Sequence, residues 1–308
     1  MFSLARKCAF RHSSPVLVLT YPVVKLVDGH VLVIVIFYSC GGFNTPTLAS
    51  GVLIMRFPQE CRIVWSGTHS INKIAAGDTM KTIGLLGGMS WESTVTYYRI
   101  INETVKEKLG GLHSAKIVMY SVDFAEIEAC QANGDWEKSG RILAEAAASL
   151  EKAGADFIVI CTNTMHKTVP AIQARISVPI LHIADATAEE LIRNGIKRVG
   201  LLGTKYTLTQ DFYKDRIAEK GLDVLVPEPV QIERVNAVIY DELCLGIVSE
   251  KSKKDYLRII DDLKSRGAEA VILGCTEIGL LISQEDSDIP VFDTAKIHAQ
   301  LAAQKAVL

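Results

Sequence analysis

Two cysteines, Cys161 and Cys275, close two versions of one phrase. The first reads Gly154-Ala155-Asp156-Phe157-Ile158-Val159-Ile160-Cys161-Thr162, and the second Gly267-Ala268-Glu269-Ala270-Val271-Ile272-Leu273-Gly274-Cys275-Thr276. Each is an apolar, strand-like run ending in a thiol and a hydroxyl. One thiol in each half of a duplicated fold can set two sulfurs across a cleft. That arrangement takes a proton from one side of a carbon and returns it to the other. A single free cysteine is ordinarily a small buried hydrophobe. Packing explains two matching strand-end thiols less well, each being followed by Thr and then by Asn163 or Glu277. Cys130 and Cys244 lack that context and read as structural.

An unperturbed thiol titrates near ~8.5. A helix opening after each strand would turn its first amides toward the sulfur and favour the thiolate. Thr162, Asn163, Thr164 and Thr276 add hydroxyls, an amide and backbone N–H groups. Such donors suit a substrate carboxylate and the enolate-like charge left when an α-proton departs. The same residues also suit ordinary N-capping. His166, five positions after Cys161, could orient a carboxylate or the cysteine, or simply cap and pack. His113, His182 and His298 have no companions at ligand spacing, so no metal is expected. The turn Gly87-Gly88-Met89-Ser90 is neither G-x-G-x-x-G nor a P-loop and fits close approach to a small anion. Gly203-Thr204-Lys205-Tyr206-Thr207 holds the same place in the other half. No motif supports NAD, flavin or pyridoxal phosphate, and no cofactor is expected.

The elements that must carry these residues alternate between apolar strands and amphipathic helices, which predicts α/β with parallel sheets. Strands are expected near Thr82–Leu86, Lys116–Ser121, Phe157–Ile160 and Pro179–His182. The second series is Arg198–Leu202, Val224–Val226, Ala270–Leu273 and Val291–Phe292. Helices are expected over Trp91–Lys108, from a capping box at Asp123 to Glu126, over Trp136–Lys152, Thr209–Lys220, Ile232–Leu245 and Lys251–Arg266, and over 295–306. Three landmarks recur in order. Ile83–Gly87 matches Val199–Gly203, the cysteine phrases match, and Val178-Pro179-Ile180 matches Ile289-Pro290-Val291. The repeat predicts two similar lobes, 81–194 and 195–294, about a pseudo-twofold axis, with helix 295–308 packing back on the first. Ligands of open α/β sheets bind beyond the carboxyl ends of the strands, where both cysteines and both Gly-rich turns lie.

The chain has 308 residues, is 49% hydrophobic and carries a net charge of −2. It can bury a sizeable core, and nothing basic points to nucleic acid. Seven cysteines without a C-x-x-C pair fit free thiols in a reducing cytoplasm better than a disulfide framework. Residues 1–80 differ from the rest, with seven Lys/Arg against three Asp/Glu and Pro breaks instead of helical periodicity. Val16–Ile36 resembles a signal or membrane segment, but Lys25, Asp28 and His30 interrupt it below the ~20 residues of a span. We expect residues 1–80 to be translated upstream DNA and the protein proper to start at Met80. Codons for Ala76-Gly77-Asp78 can spell a ribosome-binding sequence, and intact mass of natively expressed protein tests this.

Five segments carry a resemblance. They are Gly87-Gly88-Met89-Ser90-Trp91-Glu92-Ser93-Thr94, Ser121-Val122-Asp123-Phe124, Cys161-Thr162-Asn163-Thr164-Met165-His166, Gly203-Thr204-Lys205-Tyr206-Thr207 and Gly274-Cys275-Thr276-Glu277-Ile278-Gly279. From Met80 onward the chain resembles the aspartate/glutamate racemase family, in its bacterial amino-acid racemase branch. The resemblance implies two flavodoxin-like lobes, usually a homodimer, and cofactor-independent racemisation of an amino acid by two cysteines. Cys161 and Cys275 would be thiolate base and thiol acid, exchanging roles with the enantiomer. Met89, Ser90, Thr162, Asn163, Thr164, Thr204, Thr207 and Thr276 match substrate-lining positions. Glu277 would sit beside Cys275 and tune its protonation. Archaeal aspartate racemases that the chain resembles carry an Arg in an Asp-Arg-Thr segment, where this chain has Ser121-Val122-Asp123-Phe124. Without that Arg, and with Asp123 repelling a carboxylate if it faced the pocket, a broader substrate set including neutral amino acids is expected. The glutamate branch continues Cys-Thr-His, unlike Cys275-Thr276-Glu277. Alternatives within the fold are a hydantoin racemase, a maleate isomerase or a one-cysteine decarboxylase; outside it, a non-catalytic carboxylate-binding protein.

Overall fold

The computed structural model describes residues 23–27, 30–40, 48–57 and 80–308. The Val16–Ile36 stretch lies partly outside them. The chain divides into two compact units, Met1–Ser70 and Ile71–Leu308. In the first, β1 (Val23–Val27), β2 (His30–Cys40) and β3 (Leu48–Phe57) form an antiparallel sheet in the order β1-β2-β3.

The second unit holds two four-stranded parallel sheets. One contains β4 (Ile83–Gly87), β5 (Ile117–Ser121), β6 (Phe157–Ile160) and β7 (Ile180–Leu181), ordered β5-β4-β6-β7. The other contains β8 (Arg198–Gly203), β9 (Asp223–Leu225), β10 (Ala270–Gly274) and β11 (Val291–Asp293), ordered β9-β8-β10-β11. The two orders are the same, so the repeat read from the sequence is a repeat of topology. Central strands β4, β6, β8 and β10 are apolar and buried, as parallel strands covered on both faces must be.

Helices cover both sheets. They are α1 (Trp91–Leu109), α2 (Phe124–Ala132), α3 (Trp136–Lys152), α4 (Val169–Gln173) and α5 (Ile183–Arg193) in the first half. The second half has α6 (Lys205–Thr209), α7 (Asp211–Ala218), α8 (Pro229–Asp241), α9 (Glu250–Ser265) and α10 (Thr294–Ala306). Three differences from the expected elements stand out. The helix expected over Thr209–Lys220 is broken at Gln210, whose backbone is extended (φ −102°, ψ 154°). The helix near Ile232–Leu245 ends at Asp241 and gives way to a 3-10 turn, Leu243–Leu245, stopped by Gly246 in the left-handed region. Helix α5 was not anticipated, because strand β7 is only two residues long and His182 caps the helix directly after it through the Ala184 N–H.

Helix α10 follows the second sheet but packs against α1 and α5 of the first half. Its Ala295, Ala299, Ala302 and Ala306 share one buried cluster with Tyr97, Ile101 and Val105 of α1. Small side chains on α10 allow that close approach. Lys81 N–H also bonds the Ala306 carbonyl at 2.9 Å. Among the described residues, no helix is long and apolar enough to cross a membrane.

Candidate active site

The carboxyl ends of β4, β6, β8 and β10 converge on one cavity. β4 delivers the turn Gly88-Met89-Ser90. Gly88 has φ +92°, and a Cβ there would lie 2.2 Å from the Val122 carbonyl, so only glycine fits the turn. Ser90 caps α1 through the Ser93 N–H, and Ser93 Oγ donates to the Cys161 carbonyl at 2.8 Å. The first Gly-rich turn thereby holds the first cysteine segment in place.

Met89, Thr162, Asn163, Thr164 and Thr204 line the cavity, together with Cys275, Thr276 and Glu277. Sequence reasoning named all of these. It missed Phe124, Gln131, Ile239, Tyr240 and Cys244, which complete the wall. Cys244, read as structural on an amphipathic helix, instead lies on the 3-10 turn after α8 and faces the cavity; burial pushes its thiol up to about 12. The cavity is small, about 30 Å³. A typical ligand cleft offers roughly 300–1,000 Å³, so substrate entry requires the site to open.

Hydrogen bonds fix the polar lining. Thr164 Oγ1 and Thr204 Oγ1 meet at 3.0 Å, and Thr204 Oγ1 meets Thr207 Oγ1 at 3.2 Å, so hydroxyls from the two halves touch. Thr207 is fully buried behind the lining. Thr294 Oγ1 donates to the Leu273 carbonyl (2.9 Å) and accepts from Asn163 Nδ2 (3.0 Å). That settles the amide orientation: Asn163 Oδ1 is the free end, and it is buried with no partner. An unsatisfied buried acceptor costs about 1–3 kcal/mol, which a donor on a bound ligand would recover.

The two cysteines differ. Cys275 lines the cavity, and its Sγ donates to Glu277 Oε2 at 3.0 Å. Thr276 Oγ1 donates to the same oxygen (2.7 Å), and Ser90 Oγ donates to Oε1 (2.8 Å). Ser90 is thus behind the wall, holding Glu277. Cys161 is fully buried and absent from the lining; it packs with Phe157, Val159 and Tyr97, and its Sγ contact is the Val159 carbonyl at 3.8 Å. The expected thiolate-favouring helix is absent at both places. Cys161 is followed by a 3-10 turn, Thr164–Thr168, and Cys275 by another, Thr276–Leu280. Turns this short have little aligned dipole. Burial pushes both thiols up, and the negative charge of Glu277 pushes Cys275 further.

His166 is a structural anchor. Its Nε2 accepts from the Ile183 N–H (3.2 Å), so Nδ1 carries the proton and donates to the Thr162 carbonyl (2.8 Å). It ties the Cys161–Asn163 segment to the start of α5. It packs against His182 and His298, whose ring centres lie 4.5 and 5.8 Å away. His298 Nε2 donates to the Leu181 carbonyl, and Tyr97 donates to its Nδ1 at 2.9 Å. Burial holds all three imidazoles down, His298 at about 4 and His182 at about 3. Asp123 is exposed and caps α2 through the Ala125 N–H, away from the cavity. Among the described residues no His, Cys, Asp and Glu cluster could hold a metal.

Residues 86–302 match the Asp/Glu/hydantoin racemase family. The structure of a candidate Asp/Glu racemase from Yersinia pestis is 55% identical, covers 74% of this chain and 100% of its own, and superposes with a TM-score of 0.71. An aspartate racemase homologue from Pyrococcus horikoshii is 41% identical over 74% of this chain and 99% of its own (TM-score 0.65). The broad specificity amino-acid racemase RacX of Bacillus subtilis is 26% identical over 171 residues, 54% of this chain and 71% of RacX. With a family match over residues 86–302 and a structural neighbour 55% identical over the whole of its own length, the chain belongs to the Asp/Glu/hydantoin racemase family.

Proposed function

We propose that the protein is a cofactor-independent amino-acid racemase that inverts Cα by proton transfer between two cysteines. The observation that carries this is the paired placement of Cys161 and Cys275 directly after the equivalent strands β6 and β10, Cys275 lining the cavity and Cys161 buried next to its Thr162–Thr164 wall. One thiolate removes the α-proton and the opposite thiol delivers a proton to the other face. Thr162, Thr164, Thr204 and Thr276 hold the carboxylate and the growing enolate charge, and Asn163 Oδ1 accepts from the α-ammonium. Among the described residues no Lys or Arg lines the cavity, and Glu277 is the one charged side chain there. A substrate with an uncharged side chain therefore fits better than aspartate or glutamate, in keeping with the broad specificity of RacX. The deciding experiment is deuterium exchange at Cα in D2O over a panel of L- and D-amino acids without added cofactor. Exchange with inversion supports the reading, and no exchange on any amino acid overturns it.

The burial of Cys161 outside the lining favours a second reading, one-thiol chemistry at Cys275 such as decarboxylation. A Cys161→Ser variant with full activity would select it. We take residues 81–194 and 195–294 as the two lobes and a second copy of the chain as the partner. Trp91, Val95 and Tyr98 form an exposed apolar stripe on α1, and Met119 and Tyr120 are exposed on edge strand β5. Light scattering at micromolar concentration measures the oligomer.

A further inference from the structure

An amino-acid Cα carries four groups, and on the racemase reading the strand ends take three of them. The hydrogen faces the thiols, the carboxylate falls to Thr162, Thr164, Thr204 and Thr276, and the ammonium to Asn163 Oδ1. The fourth group, the side chain, is left with the wall supplied by helices. Phe124 and Gln131 come from α2, two turns apart on one face, and Ile239 and Tyr240 come from the end of α8. The strong polar groups of that wall are the Gln131 amide and the Tyr240 hydroxyl.

Gln131 is buried, yet its amide is poorly used. Its Nε2 donates to Met165 Sδ at 2.9 Å. A thioether accepts weakly and donates nothing, which fixes the orientation and turns Oε1 toward α8. There Oε1 accepts from Tyr240 Oη at 3.5 Å, the outer limit of a hydrogen bond. The second Nε2 hydrogen has no partner among the described residues. The backbone at this position is held from the other half, because Tyr206 Oη donates to the Gln131 carbonyl at 3.3 Å and the Tyr206 ring meets Trp136 edge-on at 5.3 Å. A buried amide on a fixed backbone thus keeps a donor and an acceptor for something that enters the cavity.

We propose that Gln131, with Tyr240, is the specificity-determining pair of this site and selects a short, uncharged side chain ending in a hydroxyl or a carboxamide. The inference rests on the racemase reading and deepens it. A hydroxyl can accept from the free N–H and donate to Oε1, and a carboxamide can pair with the Gln131 amide through two hydrogen bonds. A methyl group in the same place gains neither bond. A carboxylate meets Oε1 as acceptor against acceptor, with Glu277 in the same cavity and no cation to offset it.

The test uses two pairs of amino acids of matched shape, serine with 2-aminobutyrate and asparagine with leucine. In the wild type we expect kcat/KM to favour the polar member of at least one pair by about tenfold or more. Gln131→Met keeps the length and removes the amide. It should erase that preference by raising KM for the polar member, leaving the apolar member close to wild type. A purely structural role would lower both members together, so an equal loss, an unchanged preference or a wild type without preference overturns the proposal. Should the Met variant not fold, Tyr240→Phe removes one hydroxyl and should weaken the same preference; an unaltered one overturns the pairing. Protection of Cys275 from iodoacetamide by each amino acid, read by peptide mass spectrometry, needs no turnover. Serine or asparagine should protect better than its partner in the wild type and no better in Gln131→Met. If the wild type racemises nothing, the racemase reading fails, while equal protection within both pairs separately overturns the assignment of Gln131.

Discussion

The ends of β6 and β10 carry the same motif to different effect. Register shows why. Leu86 pairs with Ile160, so Gly87 lies level with Cys161; Gly203 pairs with Gly274, so Cys275 is level with Thr204, one residue further along. The extra residue is Gly274, where a Cβ would lie 2.6 Å from the Leu202 carbonyl. Alternate residues of a strand face opposite ways. Cys161 continues the face of Phe157 and Val159 into the core, while Cys275 turns to the cavity and meets Glu277. The segment after Cys161 is tied through Thr162 to a cluster of three buried histidines, whereas beside Cys275 lies one carboxylate. A duplicated strand thus repeats where a thiol is delivered, and the flanking residues decide its electrostatics.

The comparison breaks most sharply if the thiols are unequal in turnover. Cys161→Ser and Cys275→Ser should each lower racemisation by about 10³-fold or more, measured by circular dichroism of the substrate. A large loss in Cys275→Ser alone would leave one working thiol. Acid stability probes the histidine side. Folded His298 and His182 titrate at about 4 and 3, against ~6.5 in the unfolded chain. The unfolded state therefore binds more protons as pH drops below ~6.5. Stability present above that pH is lost as it falls toward 4 and then 3. Urea unfolding should weaken by a few kcal/mol between pH 7 and pH 5, and an unchanged midpoint would contradict the buried neutral rings. Asn163→Ala, on the Cys161 side, removes the acceptor for the ammonium and should cost on the order of 10–100-fold in kcat/KM. It should act mainly through KM in a substrate titration. Iodoacetamide should modify Cys275 at least about tenfold faster than Cys161, since only Cys275 reaches the cavity. Equal rates would mean that the site opens as readily around both.

Much of this was legible in the sequence because it depends on local pattern. The apolar runs, the ordered landmarks and the capping box at Asp123 placed the strands, their repeat and the start of α2. Thr162, Asn163 and Cys275 were identified from the strand ends that deliver them, Thr204 and Glu277 from the family resemblance. What escaped depends on contacts distant in sequence. Gln131 and Tyr240 reach the wall from α2 and α8 and meet through Tyr240 Oη and Gln131 Oε1 at 3.5 Å, a pairing across 109 positions. The inward turn of Cys161 follows from a single inserted residue, visible in the spacing but interpretable only with the register known. His166 had three open roles, and its two ring partners were needed to settle one.

Helix α10 gives the molecule a distinctive order of assembly. A helix made after the whole second sheet completes the apolar face of α1, the first helix of this unit. A ribosome that has finished the first sheet has not yet supplied the alanines that cover Tyr97, Ile101 and Val105. The nascent first half must therefore wait, with that face uncovered, until the final turn of the chain emerges. Deleting residues 294–308 removes few residues near the reaction centre, yet it should leave the early half without its seal and send the product to aggregates.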